Sequence, residues 1–241
     1  MKKGLMLTCI LILATYLTGC FYPDENRVEN QLSYPDQLDA VRMAAERFQE
    51  DSGVLPIRTF DEGTPQFQRY IIDFNQLVPR YLQQAPATAF ENGGVYQYAL
   101  WNVEDEIEAR VIDLRTMREI QEFQSKVNDY MREHTYPPVA EILDQGLFKL
   151  DYEKLGFTSE PHVQSPYYDT FLPLLILNSG EIVIDYRIDL NMALNEFEHD
   201  FSEGEDIRSI LVENTYFLPN RSIPYSLDEN GEPQYDMSLE R

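Results

Sequence analysis

Val111-Ile112-Asp113-Leu114-Arg115 and Val183-Ile184-Asp185-Tyr186-Arg187 are the two stretches on which the fold turns. Each is an apolar pair running into Asp-x-Arg, and each closes a segment with strand character. In the first, Ile107, Ala109 and Val111 alternate with Glu106, Glu108 and Arg110, the period of a strand with one dry and one wet face. Upstream of each lies a second apolar run, aromatic in residues 96–101 and almost continuously apolar in 172–177, which marks the latter as a central strand. Asn178-Ser179-Gly180 is turn chemistry for the second pair. Two hairpins are therefore predicted, 95–101 with 107–114 and 171–177 with 181–188.

The likeness continues outward. Leu38, Val41, Ala45 and Phe48 follow the spacing of one helix face, and Ile120, Phe123, Val127 and Tyr130 repeat it, each 82 positions later. Pro35 suits the opening turn of the first helix, and Gly53 suits the position just past its end at Ser52. Val54-Leu55-Pro56-Ile57 answers to Tyr136-Pro137-Pro138-Val139, and Asp73-Phe74 with Leu77 answers to Asp151-Tyr152 with Leu155. A third copy begins with Glu196-Phe197 for Glu122-Phe123, and Glu213-Asn214-Thr215-Tyr216 stands for Glu133-His134-Thr135-Tyr136. About six extra residues near 199–204 are expected to split its helix in two. The order of these matches is constant while their offset drifts between 72 and 82, the mark of an internal duplication. The expected fold class is α+β: two tandem helix-plus-antiparallel-hairpin repeats, 33–114 and 115–188, with a partial third and tail over 189–241. Asp228-Glu229-Asn230-Gly231 reads as a last hairpin turn.

The N-terminus has a different character. Lys2 and Lys3 precede an uncharged apolar run from Leu5 to Leu17, the length of a secretory signal rather than of a permanent span. It ends in Leu17-Thr18-Gly19-Cys20, which resembles the lipobox of bacterial lipoprotein signal peptides. That resemblance implies removal of residues 1–19 and attachment of a diacylglyceryl group to Cys20, with 20–32 as a polar tether. Two acyl chains suffice for stable anchoring where one binds only reversibly. The expected location is the outer side of the cytoplasmic membrane, with the membrane itself a partner through Cys20.

Cleavage removes Cys9, and acylation consumes Cys20, so the 222 residues that remain of 241 hold no free thiol. Thiol nucleophiles, disulfides and cysteine-ligated metals are thereby excluded. The net charge of −23 becomes −25 without Lys2 and Lys3, which disfavours nucleic acid and anionic lipid headgroups as partners. With 43% apolar and 12% aromatic residues, the mature chain has the composition of a folded globule.

Catalytic signatures do not emerge. His134, His162 and His199 lack the spacing of a helical zinc site, with His134 at a helix end and His162 in a loop after Pro161. The acidic run 196–206 fails as a calcium loop, because Gly204 at the sixth position puts Phe201 at the third. There is no Gly-x-Ser-x-Gly elbow and no Gly-rich phosphate loop. No cofactor, metal or catalytic residue is assigned. Asp113 and Asp185 read as ion-paired with Arg115 and Arg187 at strand edges. The junction near those two strands is the expected place for a ligand groove. Sixteen tyrosines, among them Tyr96, Tyr98, Tyr167, Tyr168 and Tyr216, suit either half-buried strands or a binding surface.

In size, acidity and layout the chain resembles cell-surface lipoproteins of Bacillus-type Gram-positive bacteria. Locally, Ala44, Phe48, Gly53, Leu55-Pro56, Leu77, Tyr81-Leu82, Pro86 and Tyr96 are similar to the globular part of type II pseudopilins. That family carries a long apolar N-terminal helix for assembly. Here a cleaved signal takes its place, so filament formation is not implied. The function expected is a membrane-anchored extracytoplasmic binding or assembly module, not an enzyme, with an envelope protein or wall ligand as its partner. A wall-facing hydrolase using a carboxylate pair and a small solute-binding lipoprotein are the alternatives.

Overall fold

The structure, a computed structural model, describes residues 34–202 and 204–239. The signal segment, Cys20 and the tether to residue 32 lie outside the described residues. The fold opens with helix α1 (Tyr34–Ser52). It stops where Gly53 takes φ +73 and donates back to the Gln49 carbonyl at 2.8 Å. Its inner face is the predicted one: Leu38, Val41 and Ala45 are buried and Phe48 packs beside them. After the short helix α2 (Phe74–Leu77), capped by Asp73, come β1 (Tyr96–Trp101) and β2 (Glu108–Asp113), paired antiparallel with Tyr98 opposite Val111. Gln37 of α1 ties to this hairpin in the core, where its Oε1 accepts from the Thr88 hydroxyl at 2.7 Å and from the Tyr98 hydroxyl at 3.3 Å.

Helix α3 (Leu114–His134) starts directly from the end of β2, because the Asp113 carboxylate accepts from the Arg115 amide at 2.9 Å and caps it. Ile120 and Val127 are fully buried, while Phe123 and Tyr130 pack at the rim of the same core. Where the sequence suggests one hairpin after this helix, the structure has a five-stranded sheet: β3 (Val139–Asp144), β4 (Leu147–Leu150), β5 (His162–Gln164), β6 (Phe171–Leu177) and β7 (Ile182–Ile184). The central strand is β6 as expected, paired with β4, β5 and β7. His162, expected in a loop, opens β5 opposite Pro173. The turn into β7 packs on α3. A Cβ on Gly180, whose φ is +87, would lie 2.1 Å from the Met131 sulfur.

The strand expected over 181–188 is corrected at its far end. It stops at Ile184, and helix α4 (Arg187–Glu196) begins. Asp185 bends the chain there by accepting from the Arg187 amide at 3.1 Å, a local bond that competes with the ladder. After α4 the chain breaks before the short helix α5 (Ser209–Glu213), the split expected from the extra residues. The final hairpin pairs β8 (Tyr225–Leu227) with β9 (Pro233–Tyr235).

Two large apolar clusters result, one between α1 and β1–β2, the other between α3, the five-stranded sheet, α4 and β8. A third, smaller cluster joins Phe67, Ile71, Ala99 and Ile112 to Val212 and Leu218 from late in the chain. The joining element is the extended stretch 216–222. Val111 donates to the Tyr216 carbonyl at 2.9 Å and accepts from the Leu218 amide at 2.9 Å, while Ile184 donates to the Arg221 carbonyl at 2.9 Å. One segment thus runs parallel to both Val-Ile-Asp strands. Asn220 within it accepts from the Gln68 side chain at 2.7 Å and the Tyr186 hydroxyl at 3.0 Å. The mixture is α+β with antiparallel hairpins.

Candidate functional site

The two Asp-x-Arg stretches form near-identical forks. Arg115 Nη2 donates to Asp113 Oδ2 at 2.6 Å with Nε 3.0 Å from both oxygens, and Arg187 makes the same contacts to Asp185 at 2.8 and 3.1 Å. Asp206 and Arg208 form a third fork, with Nη2 at 2.6 Å, which the sequence reading overlooked. In each case the aspartate also takes the arginine's own amide, so the motif turns the chain into or towards the next helix. Bidentate charge-assisted bonding occupies both carboxylate oxygens. These pairs are structural joints.

Near Asp113 and Asp185, where a ligand groove is expected, the two strands do not face each other across open space. Segment 216–222 fills the space between the two strands. Phe217 meets Tyr96 at 5.9 Å and Tyr167 at 6.3 Å, and Tyr167 meets Tyr186 at 5.9 Å. Asp185 lines a small depression of about 320 Å³ with Arg187 and Glu232, and Asp113 takes no part in it. The tyrosines singled out in the sequence largely serve this packing. Tyr96 and Tyr98 are buried, Tyr167 and Tyr168 half-buried, and Tyr216 is exposed.

Asp189, one turn into α4, has no exposed surface. Its carboxylate accepts from Ser165 at 2.6 Å and Thr170 at 3.0 Å. Burial pushes it up to about 6, and the two hydroxyls offset part of that rise. Ser165 in turn accepts from the Tyr167 and Tyr168 amides, so this network pins the 165–170 loop. Without a surface it has no route to a substrate.

The histidines stay apart. His134 meets Tyr130 at a tilt at 4.1 Å, His162 meets Phe171 at 4.9 Å, and His199 lies against Phe201 at 5.5 Å. Among the described residues no group of three or more His, Cys, Asp or Glu could hold a metal ion.

A groove of about 650 Å³ runs along the solvent side of α3. Leu114, Arg118, Gln121, Ser125 and Asn128 fall at three- and four-residue steps, so they share one stripe of the helix. Phe90 and Arg221 contribute from outside α3. Gln124 braces the floor, accepting from the Ile182 amide at 2.9 Å and donating to the Gly180 carbonyl at 2.8 Å. Arg221 is held by its surroundings in a left-handed backbone conformation, φ +49. Its amide donates to Asn220 Oδ1 at 2.9 Å, and its Nη1 donates to the Ile182 carbonyl at 2.8 Å. A side chain kept in such a conformation by several bonds is a positioned one. The lining contains two guanidinium groups, amides, a hydroxyl and an exposed aromatic ring, but no carboxylate.

The signal for this groove is present in α3. Its neighbouring stripe carries Glu119, Glu122, Asp129 and Glu133, whereas the groove stripe is free of acids in a strongly acidic chain. Sequence reasoning, attending to the apolar face, passed over it.

The class these features define is an α+β domain with antiparallel hairpins. Within it, residues 34–113, from the first residue of α1 to the last of β2, match the YphF family N-terminal domain. Neither a curated protein nor a solved structure matches the chain. No helix among the described residues is long and apolar enough to cross a membrane.

Proposed function

We propose that the protein is a membrane-tethered extracytoplasmic lipoprotein acting as a binding module, with the groove on α3 as its binding surface. The groove supports this reading. Its lining offers hydrogen-bond donors and acceptors on a rigid helix, with no carboxylate or nucleophile–base pair for group transfer. A wall-facing hydrolase would need an acid and a base converging there. The buried or ion-paired states of Asp113, Asp185 and Asp189 leave those three carboxylates occupied elsewhere. The tether rests on the lipobox-like Leu17-Thr18-Gly19-Cys20.

Two measurements test the parts separately. Metabolic labelling with a fatty acid should mark the wild type and not Cys20→Ala; label persisting in the variant overturns the anchor. A photo-crosslinking residue at Gln121, in the groove, should form adducts on intact cells, whereas one at Glu133, on the neighbouring stripe, should not. Equal yields at both positions overturn the groove as the binding surface.

A further inference from the structure

We infer that the α3 groove takes an anionic, polyhydroxylated chain, one whose sugar- or glycerol-like units carry carboxylate or phosphate groups. This rests on the reading of the groove as a binding surface and adds the chemistry of what enters it.

Charge supplies the first reason. The chain has 42 acidic against 19 basic residues, and most arginines of the described residues are matched to an acid. Arg118 is not. It is exposed in the groove and makes no hydrogen bond or ion pair with the other described residues. Arg221 is countered only in part, with Glu181 at 3.6 Å, and its Nε is buried without an acceptor. Planar guanidinium forks match carboxylate and phosphate oxygens, so two of them without a full complement of acids select for those groups.

Shape supplies the second. From Leu114 to Asn128 the stripe is about 21 Å long at 1.5 Å per residue, which suits an extended chain better than a single small molecule. Between the arginines lie Gln121, Ser125 and Asn128, whose amides and hydroxyl both donate and accept, as a row of hydroxyl groups requires. Phe90, 54% exposed, gives a flat apolar face on which the C–H side of such a unit can rest. A flat anionic bilayer would meet the whole charge of −23 rather than this concave, acid-free strip, so a soluble chain is the better partner.

The test uses the full mature lipidated protein in neutral detergent micelles and titration calorimetry. The probes are polygalacturonate for carboxylate, poly(glycerol phosphate) for phosphate, neutral dextran, and phosphatidylglycerol vesicles. One or both anionic polymers should bind, at least tenfold more tightly than dextran, and weaken as salt is raised. Arg118→Gln and Phe90→Ala should each reduce that affinity at least fivefold without lowering Tm, both side chains being exposed. Arg118→Lys should recover part of the loss. Which polymer binds names the anion. Binding to neither polymer, equal binding to dextran, preference for the vesicles, or indifference to Arg118→Gln overturns the inference. If the Gln121 crosslinks persist while both polymers fail, only the ligand class is wrong; if both are lost, the groove itself is not a binding surface.

Discussion

Two regions of the molecule, 54–73 and 136–151, are framed by similar bridges and differ in what lies between them. In the second half Val139 pairs with Leu150 and the hairpin β3–β4 fills the space between, turning at Gly146. In the first half Ile57 bridges Ile72 in the same way, but no strands lie between them. The anchoring bonds match, Asp73 to the Pro56 carbonyl at 2.9 Å and Asp151 to the Pro138 carbonyl at 2.8 Å. What separates the halves is the intervening chain. Residues 58–71 are longer than 140–149 and include Gly63 and Pro65, and a proline cannot donate to a ladder. The longer insert gives up strand pairing and delivers Phe67 to the small cluster, where it stacks on Trp101 at 5.3 Å beside Val212 and Leu218. The same frame thus holds a sheet in one half and an interface in the other.

The comparison is tested most severely in the two cores. Leu38→Ala and Ile120→Ala, at matched helix positions, should each cost about 3 kcal/mol, since both side chains are buried. Phe48→Ala and Phe123→Ala, whose rings are half-buried, should cost about 2 kcal/mol each. Urea unfolding followed by the single tryptophan, Trp101, reads all four. A first-half change that leaves the midpoint untouched would show that the halves are unequal partners.

A pH titration separates the halves next, because Asp189 of α4 occupies the position that Met117 holds in α3. The Asp189 carboxyl titrates near 6 when folded against about 3.8 in its ordinary state, so the folded protein binds the proton more tightly. Its contribution is greatest below pH ~4, falls as pH rises towards ~6, and is flat above. The drop is on the order of 3 kcal/mol. Asp189→Asn should remove this slope from unfolding free energies measured between pH 4 and 7. An unchanged slope would place the titrating group elsewhere.

Smaller effects distinguish the joints. Asp185→Asn should cost about 2 kcal/mol, because that carboxylate also accepts from Tyr235 at 2.8 Å. Asp113→Asn should cost about 1 kcal/mol, mainly through a weakened cap. The ordering of their Tm values checks this, and a reversed order would mean that the tyrosine bond carries little. Smallest is Glu46→Gln on the outer face of α1, within about 0.5 kcal/mol despite its 2.7 Å bond to Arg42.

Much of the frame was legible because periodicity reports burial. The alternation around Val111 placed β2, and the three-four spacing placed the inner faces of α1 and α3. Less legible was what depends on distant pairing. β3, whose middle residues are exposed, has no alternation to betray it. The strand into Arg187 was drawn too long because its apolar pattern outlasts its ladder, while the Asp185 side chain bends the chain early. The groove escaped for a related reason: a polar stripe says nothing about burial, and its meaning lies in the acids it lacks. Phe90 and Arg221 join it only through the tertiary fold.

The stretch 216–222 imposes an order on events. It is made after both strands it accompanies, so β2 and β7 each stand with an open edge until it emerges. Neither half can reach its final partners until residue 222 has been made. A product broken off before Tyr216 would retain two recognisable half-cores and no rivet between them, with bare strand edges that a protease can grip. Completeness is thereby written into the molecule as a mechanical property: a finished chain is a closed one.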